Sequence, residues 1–269
     1  MRLRRLGLVG CGAIGKAIAA HVRSGGIRAR ITAVCDQNGK AAEQLSLSLR
    51  PAPKVVDFKR VVDLSDIVVE CASVGAVVPV VALALRRNRD VVVMSEIGLM
   101  ENPWLFRIAE RSKGRLVVPS GALGGLDVLR AAAGAGLKRV TLVTRKPPAA
   151  FAGAPYLKSR RLNLDGLKRP RVLFRGNVSQ AARNFPANVN VAATAAMAGL
   201  GPKVTRVEVI ADPSVRANIH TLEIEGNFGK AVCRVENLPS PDNPRTSYLA
   251  ALSAVAAIKR LLGGVEIGG

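Results

Sequence analysis

Val9-Gly10-Cys11-Gly12-Ala13-Ile14-Gly15-Lys16 lies between two segments of different periodicity. Ahead of it, Leu6-Gly7-Leu8-Val9 is a short apolar run of the kind that forms a buried parallel strand. After it, Lys16-Ala17-Ile18-Ala19-Ala20-His21-Val22 places apolar residues at helical spacing. Gly10, Gly12 and Gly15 therefore fall at a strand-to-helix turn, where G-x-G-x-x-G marks dinucleotide binding. Gly10 permits the sharp reversal, Gly12 has no Cβ to obstruct a pyrophosphate, and Gly15 allows close helix–strand packing. Ala13 and Ile14, between the glycines, are further cofactor-binding candidates, and the helix that follows offers free N–H groups and a positive dipole end to phosphate. Downstream, Ile31-Thr32-Ala33-Val34-Cys35-Asp36 reads as a second strand ending in a carboxylate. Asp36 is placed to accept ribose hydroxyls and to repel a 2′-phosphate. Gln37, Asn38 and Lys40 beside it leave both NAD and NADP open as cofactors.

From that turn the pattern extends outward. Strands are expected at Leu6–Val9, Ile31–Cys35, Val55–Asp57, Asp66–Cys71, Asp90–Met94 and Arg115–Val118. Helical segments at Lys16–Ser24, Lys40–Leu49, Phe58–Leu64, Val77–Arg87 and Trp104–Arg111 lie between them. This alternation predicts an α/β fold, a Rossmann-type doubly wound parallel sheet, with its ligand outside the carboxyl ends of the strands. Ala72-Ser73 and Met94-Ser95 belong to those ends. After Pro119 the alternation stops. A glycine-rich turn, Ser120–Asp127, leads into a helix through Ala133. Strands follow at Arg139–Thr144, Val172–Arg175, Arg206–Ala211, Thr221–Gly226 and Ala231–Glu236, the last two as a hairpin through Asn227-Phe228-Gly229. With the apolar helix Val189–Ala198 among them, this is a second, mixed α+β domain. The last helix, Ser247–Leu262, is apolar on most of its surface and so must be buried. The expected division is 1–119 as the dinucleotide-binding domain, completed by the C-terminal helix in 246–269, with 120–245 as a substrate and dimerisation domain.

Composition narrows the classes. Of 269 residues almost half are apolar, yet no run reaches the roughly 20 residues of a membrane span. The basic start Met1-Arg2-Leu3-Arg4-Arg5 precedes a strand and not a signal peptide's apolar core, so a cytoplasmic location and no membrane partner are expected. Cys11, Cys35, Cys71 and Cys233 form no C-x-x-C pair, which leaves neither a metal site nor a redox motif. The formal charge of +21 would attract nucleic acid, but its arginines and lysines are dispersed and not interleaved with aromatics. The charge reads as a solvated surface with a bias toward small anions.

The second domain must choose the reaction. Thr144-Arg145-Lys146-Pro147-Pro148, Asn184-Phe185-Pro186-Ala187-Asn188-Val189-Asn190, Asp212-Pro213, Asn218-Ile219-His220, Glu223-Ile224-Glu225-Gly226 and Asn243-Pro244-Arg245-Thr246-Ser247 resemble segments of the L-aspartate dehydrogenase family. The N-terminal Gly-Cys-Gly-Ala-Ile-Gly and the Val118-Pro119-Ser120-Gly121-Ala122 turn match as well, so the resemblance spans nearly the whole chain. It implies NAD(P)-dependent interconversion of L-aspartate with iminoaspartate, and then with oxaloacetate and ammonia. It further implies a catalytic histidine at His220, cofactor contacts from Ala122 and an asparagine of the Phe-Pro segment, a homodimer, and a supply of iminoaspartate to quinolinate synthesis. Spacing to the histidine favours Asn190 over Asn188 for the cofactor, leaving Asn188 as a substrate candidate.

The chemistry is consistent with those roles. An imidazole of ordinary pKa near 6.5 can take and return a proton at neutral pH. Of the two histidines, His21 lies on the first helix, and His220 begins a strand. A substrate with two carboxylates calls for cationic or hydroxyl partners. Lys146 or Arg145 fits, as do Asn243, Thr246 and Ser247 at the expected start of the last helix. Surface charge explains the first two equally well, and helix capping explains Thr246 and Ser247. One departure stands out. Where the family has a Val-Gly-Ala-Leu-like turn after the serine, this chain has Ser95-Glu96-Ile97-Gly98-Leu99, which sets a carboxylate beside the expected nicotinamide pocket.

Overall fold

The computed structural model describes residues 3–186, 189–240 and 243–263, with backbone alone for 243–246. It falls into two compact units, Met1–Pro119 with Ala250–Ile267, and Ser120–Leu249.

In the first unit the alternation of the sequence becomes β1 (Arg4–Val9), α1 (Ala13–Arg23), β2 (Ala29–Cys35), α2 (Gly39–Leu47), β3 (Lys54–Val55) and α3 (Phe58–Asp63), then β4 (Ile67–Glu70), α4 (Val74–Arg86), β5 (Asp90–Val93), α5 (Glu96–Met100), α6 (Trp104–Arg111) and β6 (Leu116–Val117). All six strands run parallel, in the order β3-β2-β1-β4-β5-β6. The order reverses between β1 and β4, and a crevice for ligand opens at such a switch point. Every residue of β4 and β5 is buried, as strands covered on both faces require.

The second unit contains α7 (Leu126–Ala133), β7 (Leu137–Lys146), a 3₁₀ turn at Pro148–Phe151, α8 (Pro155–Ser159), β8 (Arg171–Asn177), α9 (Val178–Asn184) and α10 (Asn190–Ala198). It continues with β9 (Arg206–Ala211), β10 (Asn218–Gly226), β11 (Gly229–Asn237), β12 (Pro239–Ser240) and β13 (Asn243–Ser247) before α11 (Tyr248–Leu261). Its five-stranded sheet has the order β11-β10-β7-β9-β8, parallel only between β7 and β9. The hairpin turns through Asn227-Phe228, between the paired Gly226 and Gly229. Phe151, Tyr156, Phe174 and Phe185 pack ring against ring, with centroids 5.0–6.1 Å apart, and tie the 3₁₀ turn, α8, β8 and the end of α9 together.

Helix α11 contributes Ala254, Val255, Ala257, Ile258 and Leu261 to the core of the first unit, alongside Leu6, Leu8, Ile31 and Ile67. Its C-terminal end is held by two arginines. Arg4 and Arg115 donate to the Leu261 carbonyl at 3.0 and 3.1 Å while both pair with Asp90 at 2.9 Å. Cations at a helix C-terminus satisfy its orphan carbonyls and its dipole together.

Three local expectations change. Residues 243–247 form a strand paired with β12 and not the start of the last helix, since Pro244 biases the residue before it toward extended backbone. Helix α1 begins at Ala13, three residues ahead of Lys16, because Gly12 is itself the extended N-cap residue. Glu96–Met100, where the family pattern has a turn, is a short helix.

Candidate active site

Each unit carries candidate residues of its own. In the first, the glycines of the β1–α1 turn have distinct jobs. Gly10 has φ +111°, and a Cβ there would stand 2.4 Å from the Cys71 carbonyl oxygen. A Cβ on Gly15 would stand 2.4 Å from the Gly10 carbonyl oxygen. Both glycines are therefore demanded by the protein's own packing. Gly12 differs, for a Cβ there would meet nothing within 4 Å. Gly12 is exposed at the N-cap, and no side chain caps the helix that begins with Ala13 and Ile14. An open approach to uncapped helical N–H groups is what a pyrophosphate requires. The site thus fits a dinucleotide.

Asp36 stands at the end of β2, half-buried, and already works within the turn. One carboxylate oxygen accepts the Cys11 N–H at 2.7 Å and the other the Asn38 N–H at 2.8 Å. It pins the glycine turn to β2 and retains further lone pairs for ribose hydroxyls. The thiols nearby are inert in character. Cys11 is fully buried, with its pKa pushed up to about 12 chiefly by burial, and Cys71 is raised for the same reason.

At the ends of β4 and β5 sits a buried acid pair. Glu70 accepts from the N–H groups of Ala72, Ser73 and Ser95 and from the Ser95 hydroxyl at 3.0–3.1 Å, stapling one strand-end loop to the next. Glu96 is 2% exposed, and its Oε2 has no hydrogen-bond partner among the described residues. Burial, reinforced by Glu70, raises its pKa to about 8. Burial thus works against the carboxylate charge that the sequence sets at this strand end.

The second unit gathers polar side chains on one buried face of its sheet. Alternation along β7 buries Thr144 and Lys146 between partly exposed neighbours, and on β10 Asn218 and His220 are buried as well. His220 is paired across the strands with Thr144, and His220 Nδ1 lies 3.0 Å from Thr144 Oγ1. Burial, with Lys146 adding to it, lowers the His220 pKa to about 3. Burial lowers Lys146 to about 8. The shuttle expected of an imidazole near 6.5 is thus replaced by one held neutral in the free site, and the amine is the group that titrates nearer to working pH. Alongside, Asn237 pairs in register with Asn218 and donates to the Ala122 carbonyl at 3.2 Å. Asn218 donates to the Ser247 hydroxyl at 3.4 Å.

The structure therefore brings His220, Lys146, Ala122 and Ser247 into one hydrogen-bonded and cross-strand neighbourhood. Asn190 is exposed at the first turn of α10. Asn188 lies outside the described residues, as do the side chains of Asn243 and Thr246. Arg145 is taken up by Asp212 at 2.5 Å, which also accepts from Ser214. Thr144, Asn218 and Asn237 were missed from sequence. The signal for Thr144 and Asn218 was present, since each is two residues from a candidate and period two puts both on its face. A cavity of about 710 Å³ opens just after Lys146 between Pro147 and Leu167, but none of Thr144, Lys146 or His220 lines it.

A glycine turn of this geometry, on a parallel sheet of this order, marks the first unit as a dinucleotide-binding unit. Comparison with known proteins agrees. Residues 10–119 match the family described as homoserine dehydrogenase, NAD binding domain, and residues 127–261 match aspartate dehydrogenase, C-terminal. L-aspartate dehydrogenase from Methanosarcina acetivorans is 45% identical over 268 residues, covering 98% of this chain and 99% of that one. L-aspartate dehydrogenase 3 from Bordetella bronchiseptica is 40% identical over 263 residues, covering 97% and 96%. The crystal structure of aspartate dehydrogenase from Thermotoga maritima is similar with a TM-score of 0.76 at 27% identity, covering 99% of this chain and 100% of that one. The chain belongs to the L-aspartate dehydrogenase family.

Two stability predictions follow from the geometry. Gly10→Ala should destabilise the protein by about 1–3 kcal/mol through strain and contact with Cys71, whereas Gly12→Ala should stay within about 0.5 kcal/mol of wild type in denaturant unfolding. The second concerns pH. Because both pKa values are lowered, the unfolded chain binds more protons between about 3 and 6.5 for His220 and between about 8 and 10.5 for Lys146. Stability should rise with pH across each window. Lys146→Met should abolish the alkaline rise, as unfolding midpoints against pH would register.

Proposed function

We propose that this protein catalyses the reversible NAD(P)-dependent oxidative deamination of L-aspartate, through iminoaspartate, to oxaloacetate and ammonia. The single observation that carries the reading is the buried Thr144–His220 pair with Lys146 beside it, in a chain of this family with an intact dinucleotide turn. Gly10, Gly12, Ala13, Ile14 and Gly15 hold the pyrophosphate, with Gly12 leaving the approach open. Asp36 takes the ribose hydroxyls and favours NAD over NADP. Ala122 and Asn190 are further cofactor contacts. When bound, the nicotinamide accepts the hydride released from the substrate α-carbon.

The chain's own residues do the rest. His220 faces the substrate as a neutral imidazole, which lets it meet a dianionic ligand without an ion pair that would hold the ground state too firmly. Lys146 supplies a hydrogen-bonding amine in a dry environment where such contacts are stronger than in water. Ser247, with Asn188, Asn243 and Thr246, completes the partners for the two carboxylates. The enzyme works in the cytoplasm as a homodimer, and its iminoaspartate can feed quinolinate synthesis.

The test is formation of reduced nicotinamide from a panel of amino acids with each cofactor. L-aspartate should be turned over and the other amino acids should not. His220→Ala should lose most of the turnover and keep cofactor affinity, while Gly12→Ala should lose cofactor affinity with the fold intact. Asp36→Ser should shift preference toward NADP by on the order of tenfold, the value of one charged contact. An unchanged rate in His220→Ala would remove the assignment.

A further inference from the structure

The most basic stretch of the sequence takes no part in the chemistry above. From Lys158 to Arg175 it carries seven lysines and arginines, with Asp165 as its sole acid. In the second unit this stretch folds against α9, and α8, β8 and α9 together enclose a cavity of about 470 Å³. That is a size at which small molecules are bound. Arginines line it from three elements: Arg160 at the C-cap of α8, Arg175 on β8 and Arg183 in the last turn of α9. Ser159, Gln180 and Asn184 add polar groups, and among the described residues no carboxylate lines it.

The walls of this cavity are held by contacts of their own. Tyr156 packs against Phe174 at 5.9 Å and Phe185 at 5.0 Å between ring centroids, which ties α8 to β8 and to the end of α9. The guanidinium carbon of Arg160 lies 5.0 Å from the centroid of the Tyr156 ring. This cation–π contact orients the arginine and leaves its charge in place. Arg175 is held from the neighbouring strand, where Glu208 accepts from its Nε at 2.8 Å. A capping box starts α9, with Gln180 Oε1 accepting the Asn177 N–H at 3.0 Å, so the amide nitrogen of Gln180 takes no part in that box. Arg160 and Arg183 have no ion pair among the described residues.

An arginine cannot shed its proton to relieve such crowding. Three cations around one concave surface, with Glu208 offsetting one of them, focus a positive potential that a multiply charged anion would neutralise. Guanidinium pairs bidentately with carboxylate and with phosphate alike. Donors arriving from three separate elements suit a group with oxygens on several sides, which phosphate has and a planar carboxylate lacks. A nucleobase has no platform here, since the Tyr156 ring already meets Phe174, Phe185 and Arg160. We propose that the cavity between α8, β8 and α9 binds a phosphate-bearing small anion, with Arg160 and Arg183 as its free cationic contacts and Arg175, anchored by Glu208, as the third. The site belongs to the second unit alone and is independent of the reaction proposed above.

The test is calorimetric titration of the full chain with pyrophosphate at about 0.15 M salt, where screening removes most long-range attraction. Arg160→Gln and Arg183→Gln should each weaken binding about tenfold, the worth of one charged hydrogen bond, and the double variant about a hundredfold. Arg107 and Arg111 are exposed on α6 of the first unit. Changing both to Gln removes the same charge and should leave the affinity within about twofold of wild type. Any pyrophosphate taken up by the dinucleotide turn is displaced by NADH and is insensitive to Arg160 and Arg183, which separates the two sites. Adenosine diphosphate should bind as pyrophosphate does, making the phosphates alone the ligand. If it binds more tightly, and loses that affinity in the same variants, the phosphate source is a nucleotide. Malonate, a dicarboxylate, should bind at least about tenfold more weakly than pyrophosphate. No binding of pyrophosphate to wild type, equal weakening by the α6 pair, or malonate as tight as pyrophosphate would each overturn the proposal. So would a short single-stranded RNA that binds through these arginines while pyrophosphate does not. If Arg160→Gln loosens α8, seen as a lowered unfolding midpoint, Arg183→Gln, exposed on α9, decides by itself.

Discussion

Lys146 and His220 share a buried face of the second sheet, and water is largely excluded from both. Two basic groups so placed cannot both hold a proton at ordinary pH. Desolvation penalises each charge, and the lysine penalises the imidazolium further. Burying two basic groups on one face is expensive structurally, and groups so perturbed gather at functional sites.

The rest of the second unit maintains that arrangement. Antiparallel pairing of β10 with β7 sets His220 opposite Thr144, and a shift of one residue would turn the imidazole to the other face. Asn237, one strand further, fastens the Ala122 turn through its amide, and Asn218 reaches Ser247. The first unit is built on a comparable economy of contacts. Asp36 closes the glycine turn against β2, and Glu70 joins the loops after β4 and β5 through four hydrogen bonds. These carboxylates shape the strand ends, while Gly12 leaves space that no atom of the described residues fills.

The first unit was legible in the sequence because local and global signals coincide there. Strand and helix periods alternate, glycines punctuate them, and each βα step constrains the next. The second unit has less redundancy. Helix α9 was overlooked although Asn177 and Gln180 form a capping box, since the short helix presents too few turns for its period to show. Residues 243–247 carried cap-like Thr and Ser, but the effect of Pro244 on its neighbour outweighs them. His220 could be named from its resemblance, whereas its neutrality could not, because pKa depends on which residues a long-range pairing buries beside it. Glu96 shows the same limit. Its presence was plain in the sequence, and its raised pKa follows only from burial near Glu70.

The central claim is that this chain moves a hydride from the α-carbon of L-aspartate to a nicotinamide. It is tested most directly with L-aspartate deuterated at that carbon, by mass analysis of the reduced cofactor and the products. The account predicts one deuterium in each reduced nicotinamide, with oxaloacetate and ammonia formed in equal amounts. Reduced cofactor without deuterium, or ammonia released without cofactor reduction, would contradict it.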